Sequence, residues 1–280
     1  MNTGFCYIIL RDVPKEKAQI DADIYEIEGS FRGFKNVIPG FHSVGVQFDQ
    51  IYKSFWCYLQ PNEVLVKVFN HTCQQFEDDE PETTVHYQKL AIAGAMDQVL
   101  IPYNHDSGEI WEKLTNHINS RVLPLIIHEE KSNHAAVNIF FEKPSDLLLE
   151  QQQSRFEQAL FNTHGGDTEA FLIEFQFAFA RWYSNIEDLE ALNRWRYLLQ
   201  AIYNAGESGI TKAPELFSGL IDTLLVQLDC LPDDMFVPNS FITSQARYLA
   251  EDMIDSDIEG IVGKGQEFEA YLKEREVLPH

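Results

Sequence analysis

The sequence predicts an α+β protein in two parts, a β-rich N-terminal domain followed by an all-α C-terminal domain. Three observations predict it. Up to about residue 70, short β-branched and aromatic runs are split by glycine and proline turns. Near residue 110 the apolar period lengthens to that of a helix. Beyond residue 145, amphipathic stripes at helical spacing follow one another with short connections, as in a bundle or a stack of hairpins.

Residues 5–10 read as the first strand, 11–14 as a turn and 24–27 as a short strand. Gly29, Gly33 and Pro39-Gly40 mark turns. In 42–48, Val44, Val46 and Phe48 share one face, and 55–59 and 64–69 read as two further strands. The acidic run 77–82 reads as an exposed loop, since like charges and Pro81 oppose regular structure. Ile110, Trp111, Leu114 and Ile118 then form a helical stripe, opened by Ser107-Gly108 and closed by Pro124. That helix is expected to cover one face of a sandwich or barrel-like sheet structure.

Helices are expected over 146–161, with Leu147, Leu148, Leu149, Phe156 and Leu160, and on the stripe of Phe171, Phe175, Ala178 and Phe179. Ser184 to Glu187 has capping-box spacing before Leu189, Leu192, Trp195, Leu199 and Ile202, with Gly206 ending that helix. Leu216, Leu220, Leu224 and Leu228 form the next, stopped by Pro232, and Asp233-Asp234 suits a helix start. Ser240 is expected to cap a last clear helix through Tyr248 and Leu249. Gly165-Gly166-Asp167 is a hinge candidate. The expected boundaries are 1–130 for the β-rich domain, 131–166 for a linker with a helix, and 167–280 for the helical domain.

The 280 residues carry 44 acidic against 21 basic side chains, a net charge of −23. Phosphate backbones and anionic membranes repel such a chain, so direct nucleic-acid or membrane binding is not expected, while basic protein surfaces suit it. With 45% hydrophobic residues it can bury a substantial core. Cys6, Cys57, Cys73 and Cys230 show no CxxC pair and no disulfide framework. Without a signal-peptide pattern or an apolar run of about 20 residues, the expected compartment is the cytoplasm, with the nucleus second.

No catalytic constellation stands out. Residues 260–265, Gly-Ile-Val-Gly-Lys-Gly, lack phosphate-loop spacing and follow Asp255, Asp257 and Glu259. His164-Gly165-Gly166 has no GxSxG elbow to serve. Cys57, His71 and Cys73 offer three of the four ligands of a structural zinc, or a thiol–imidazole pair, if their strands adjoin; half-buried structural side chains are the ordinary alternative. No cofactor is expected.

The run 33–42, Gly-Phe-Lys-Asn-Val-Ile-Pro-Gly-Phe-His, resembles the Gly-x-Lys-x-Ile-Pro-x-Gly-x-His signature of the Aar-two splicing-factor family (A-one cistron splicing factors). The Trp56 strand, Ile101-Pro102-Tyr103 and Trp111 to Thr115 are similar to the same family. So are Glu174-Phe175-Gln176-Phe177-Ala178-Phe179, the Trp195-Arg196 helix, Gln227-Leu228 to Leu231-Pro232, and Phe236 followed by Phe241. The resemblance spans about residues 8–249 and implies a β-rich domain with a helical domain.

It also implies a non-enzymatic assembly factor for the U-five small nuclear ribonucleoprotein in pre-mRNA splicing. Such a factor binds the RNase-H-like and Jab/MPN regions of a Prp-eight-like protein. The compact linker and the brief stretch after Leu249 favour one-site holding over bridging of both regions. Phe31, Lys35, Trp182 and Asp234 are the expected partner-contacting residues. The alternatives are a module of the same fold with an unrelated partner, and a hydrolase or metalloprotein built on Cys57, His71 and Cys73.

Overall fold

The structure, a computed structural model, describes residues 4–14, 16–27, 29–48, 51–123, 155–275 and 277. The first unit comprises Met1–Glu112 with Ile118–His134, the second Lys113–His117 with Ala135–His280.

In the first unit β1 (Cys6–Arg11), β4 (Gly33–Val37), β7 (Val64–Asn70), β8 (Gln75–Asp78) and β9 (Ile101–Pro102) form one sheet, in the order β8-β7-β1-β4-β9. A second sheet, β3-β2-β5-β6, joins β2 (Lys17–Ile20), β3 (Asp23–Glu26), β5 (Gly40–Phe48) and β6 (Ile51–Leu59). The second is antiparallel throughout; in the first, β1–β7 and β4–β9 run parallel.

Cys6, Ile8 and Leu10 on β1 share a core with Ala18 and Ile20, Val44 and Val46, and Cys57 and Leu59, so the two sheets pack inner face to inner face. On the other face of β1, Ile9 joins Val64, Val66, Ala91, Met96 and Leu100 beneath α1 (Pro81–Ile92). The alternation of Cβ directions along β1 thus feeds two cores.

The sheets are open, which corrects the barrel-like expectation. Closing the first sheet would ask β8 to pair with β9, which is two residues long and contains Pro102, without an N–H to donate. The acidic run 77–82 is also not a loop. Glu77 and Asp78 end β8, and Pro81 is the first residue of α1, where its fixed φ suits a helix and no N–H is required. Glu82 lies in the first turn, where the helix dipole favours a carboxylate. Asp79 is tied to Arg11 at 2.5 Å, and that guanidinium lies over Tyr87.

The helix expected on the stripe from Ile110 is present as α2 (His105–Thr115), starting before Ser107-Gly108 and ending before Ile118. Asn104 accepts from the Asp106 N–H, and Gly108 instead allows close approach to Tyr103, whose ring a Cβ there would meet at 2.5 Å. Pro124 and the leucines 147–149 lie outside the described residues, so their helix-stop and helix assignments are not described.

In the second unit, α3 (Arg155–Glu157) continues as a π-helical turn over Gln158–Thr163. Gly165 and Gly166, both with positive φ, turn the chain, and the Asp167 side chain accepts from the Ala170 N–H to start α4 (Thr168–Ser184). Then come α5 (Leu189–Tyr203), α6 (Gly206–Lys212), α7 (Pro214–Asp229), α8 (Ala246–Asp255) and α9 (Ile261–Glu274). Residues 171–180 of α4 are all buried, apolar and polar alike, as befits a helix surrounded by others.

Local chemistry moves several expected boundaries. Ser184 closes α4 through its hydroxyl to the Arg181 carbonyl, and Asp188, not Ser184, caps α5 by accepting from the Ala191 N–H at 3.0 Å. Gly206 begins α6 instead of ending α5. Ser240 accepts from Thr243 in a turn, and α8 starts only at Ala246. Asp233 and Asp234 open a 3-10 turn, Asp233–Phe236.

The glycine-rich run at 260–265 starts α9. A Cβ on Gly265 would meet Met253 Cβ at 2.8 Å, so this glycine lets α9 approach α8 closely. Gly33, with φ +126°, is tighter: a Cβ would lie 1.9 Å from the Ile8 carbonyl oxygen.

Gly33→Ala should therefore lose roughly 2–4 kcal/mol in urea unfolding, because strain and clash add. Gly263→Ala, in the first turn of α9 with open space around the new methyl, should be neutral or gain up to about 1 kcal/mol.

Candidate functional site

The signature run 33–42 forms β4, a corner at Ile38-Pro39, and the start of β5. Its last residue, His42, is 1% exposed. His42 Nδ1 lies 2.9 Å from Asp21 Oδ2 and 3.2 Å from Oδ1, and Nε2 lies 2.8 Å from the Ile38 carbonyl oxygen. With an acceptor on each nitrogen, the ring donates from both and is held as the imidazolium. Burial pulls its proton affinity down, but the Asp21 charge and hydrogen bond and the Ile38 carbonyl outweigh that, so the pKa is raised.

Asp21, in the β2–β3 turn, also accepts from the Ser43 N–H at 3.1 Å and the Tyr103 hydroxyl at 2.6 Å. Burial and then the Asp21 charge push the Tyr103 phenol up. The segment leading to Tyr103 is placed by β9 pairing with β4 and by the Tyr103 N–H donating to the Lys35 carbonyl at 2.9 Å. Trp111 Nε1–H reaches the Phe41 carbonyl at 2.7 Å, and Phe41 stacks on Trp56. The separate N-terminal pieces of the resemblance are thus one structural cluster. His42 has no free nitrogen with which to take a proton from a substrate.

In the helical unit the polar residues of Glu174–Phe179 are buried too. Glu174, 2% exposed, holds Arg194 Nε at Oε1 and His164 Nε2 at 2.6 Å from Oε2. Gln176, fully buried, accepts from the His117 N–H and donates to Asn116 and Thr223. Trp195 Nε1–H donates to Gln227 Oε1 at 2.8 Å. These partners were not legible in the sequence. The only signal was a Glu and a Gln inside an otherwise apolar helix, where each must find partners.

The expected contact residues fall as follows. Phe31 is 7% exposed, edge-on to Phe34, and forms a wall of two surface hollows of about 220 and 430 Å³. Lys35 is half-buried and donates to the Asp97 carbonyl. Trp182 is 8% exposed and stacks parallel on Trp195. Asp234 is exposed in the 3-10 turn.

Cys57 points into the core between the sheets, while His71 and Cys73 lie in the β7–β8 turn, His71 with Nε2 2.7 Å from the Asp12 carbonyl oxygen. The three stand in different settings, and no group of His, Cys, Asp and Glu able to hold a metal occurs among the described residues. Burial raises the Cys6 and Cys57 thiols and takes Cys230 to about 11, so none of these is poised as a thiolate.

Comparison with known proteins finds two adjoining family matches. Residues 4–129 match the AAR2 N-terminal domain, and residues 146–276 match the AAR2 C-terminal repeat region. The Protein AAR2 homolog of Caenorhabditis elegans is 23% identical over 316 residues, covering 90% of this chain and 88% of that one.

Two outcomes are expected from this geometry. His42 gains proton affinity on folding, so its stabilisation is full below the unfolded value of about 6.5 and is lost as pH rises through the raised folded value. Chemical denaturation should show stability of the β-rich unit falling over that window, and His42→Asn should flatten the slope. A thiol reagent at neutral pH should modify the exposed Cys73 first, leaving Cys6 and Cys57 protected until unfolding; rapid reaction of Cys57 in the folded protein would contradict the burial.

Proposed function

This chain belongs to the AAR2 family, and from that premise we propose that it is a non-enzymatic assembly factor of pre-mRNA splicing. The observation that carries the reading is the match of both halves, in order, to the two parts of one family. In this reading the chain holds the RNase-H-like region of a Prp-eight-like protein during U-five particle assembly in the cytoplasm.

The physical chemistry agrees with a binding role. The histidine of the signature is locked between a carboxylate and a carbonyl, and the buried thiols are held protonated. The β-rich unit and the helical unit each pack around a core of their own and so offer folded surface, which lowers the entropy lost on docking a folded partner. The net charge of −23 favours partners with basic surfaces and speeds their encounter at low salt.

The test is direct binding. The purified chain and the recombinant RNase-H-like region of the source organism's Prp-eight-like protein should form a one-to-one complex with a Kd of about a micromolar or tighter. Light scattering would give the stoichiometry and calorimetry the affinity. No complex at tens of micromolar, with both proteins folded, would reject the reading.

A further inference from the structure

We infer that the loop joining α4 to α5 is a docking point for a basic protein surface that carries an apolar recess. Ile186 is 71% exposed and Leu189, the first residue of α5, is 64% exposed, three residues apart where the connection meets that helix. The other large apolar side chains more than half exposed in the described helical unit stand in separate segments, Val237 after the 3-10 turn and Tyr248 within α8. Leu189 has the spacing of a core stripe, yet α5 begins at this residue, and the buried face is carried by Ala191, Trp195, Leu198 and Leu199.

The connection is held in one shape. The Asn185 N–H donates to the Arg181 and Trp182 carbonyls, and the Asp188 N–H to the Asn185 carbonyl at 2.9 Å. The Glu187 N–H donates to Asn185 Oδ1, and Arg181 Nε–H pairs with Asp188 at 2.6 Å. A backbone so constrained loses little freedom on binding, which favours a docking point.

Charge selects the occupant. Glu187 is exposed and has no cationic partner among the described residues, and Glu190 is exposed and approached by Arg181 at 3.4 Å. An apolar recess rimmed with Lys and Arg complements two aliphatics flanked by carboxylates, whereas an acidic or phosphate-bearing partner is repelled.

The inference rests on the assembly-factor reading and adds where that partner is held. Calorimetry would compare the wild-type chain, the Ile186→Ser/Leu189→Ser double variant and the Glu187→Gln/Glu190→Gln double variant, each against the recombinant RNase-H-like region at two salt concentrations. Thermal unfolding should change little, since all four side chains are exposed and the Arg181–Glu190 pair lies at the surface. The serine variant should weaken binding by about tenfold or more, as expected for central contacts. The glutamine variant should bind with a shallower salt dependence.

An undiminished affinity in the serine variant overturns the docking point while leaving the functional reading intact. An unaltered salt dependence in the glutamine variant overturns the basic character of the recess. Failure of the wild-type chain to bind rejects the functional reading itself, and this inference with it.

Discussion

Asp21 holds the β-rich unit together at the point where three distant stretches of chain meet. A carboxylate in that position would be costly to desolvate unless charge and hydrogen bonds replaced its water. It receives His42, the Ser43 N–H and the Tyr103 hydroxyl, from β5 and from the segment after β9. Removing any one donor leaves the others bound to a charge that is no longer fully compensated. The signature run is therefore best understood as the frame of this node: Gly33 brings β4 onto β1, the corner at Pro39 presents Ile38's carbonyl, and His42 closes the circuit.

The helical unit solves the same problem with different residues. Burying α4 on all sides places Glu174 and Gln176 where water cannot reach them, and each is matched by groups from neighbouring segments. Apolar packing alone would let such a helix rotate or slide. Directional contacts to Arg194, Asn116 and Thr223 fix its rotation and register. The two halves share a plan in which a few buried polar groups, not surface features, carry the recognisable residues.

That plan explains what could be read from the sequence. Strands 1, 5, 6 and 7 and helices 4, 5 and 7 announce themselves through periodicity, because their partners lie on one face or on all faces. Strand 2 and strand 4 do not. Four residues at Lys17–Ile20 are too few for a period, and Gly33 and Asn36 in β4 look like turn residues. Helix 1 was hidden by its acidic start, where repulsion in an isolated peptide is replaced by the helix dipole and by Arg11 on Asp79. Helix boundaries slipped wherever two cap residues competed, as Ser184 and Asp188 did. The Asp21–His42–Tyr103 node was out of reach, since nothing local links positions 82 residues apart.

The place of β1 has a consequence for how the chain is made. It is the central strand of its sheet, apolar toward both cores, and its two neighbours come from residues 33–37 and 64–70. A ribosome delivers β1 well before β7 or the covering helix at Pro81–Ile92 exists. Until β7 and that helix have emerged, this strand has an unpaired edge and an uncovered apolar face, the condition in which nascent segments aggregate or recruit chaperones. Translation speed across residues 11–92 thus becomes a determinant of yield, and slowing it would lengthen the interval in which β1 waits for its partners.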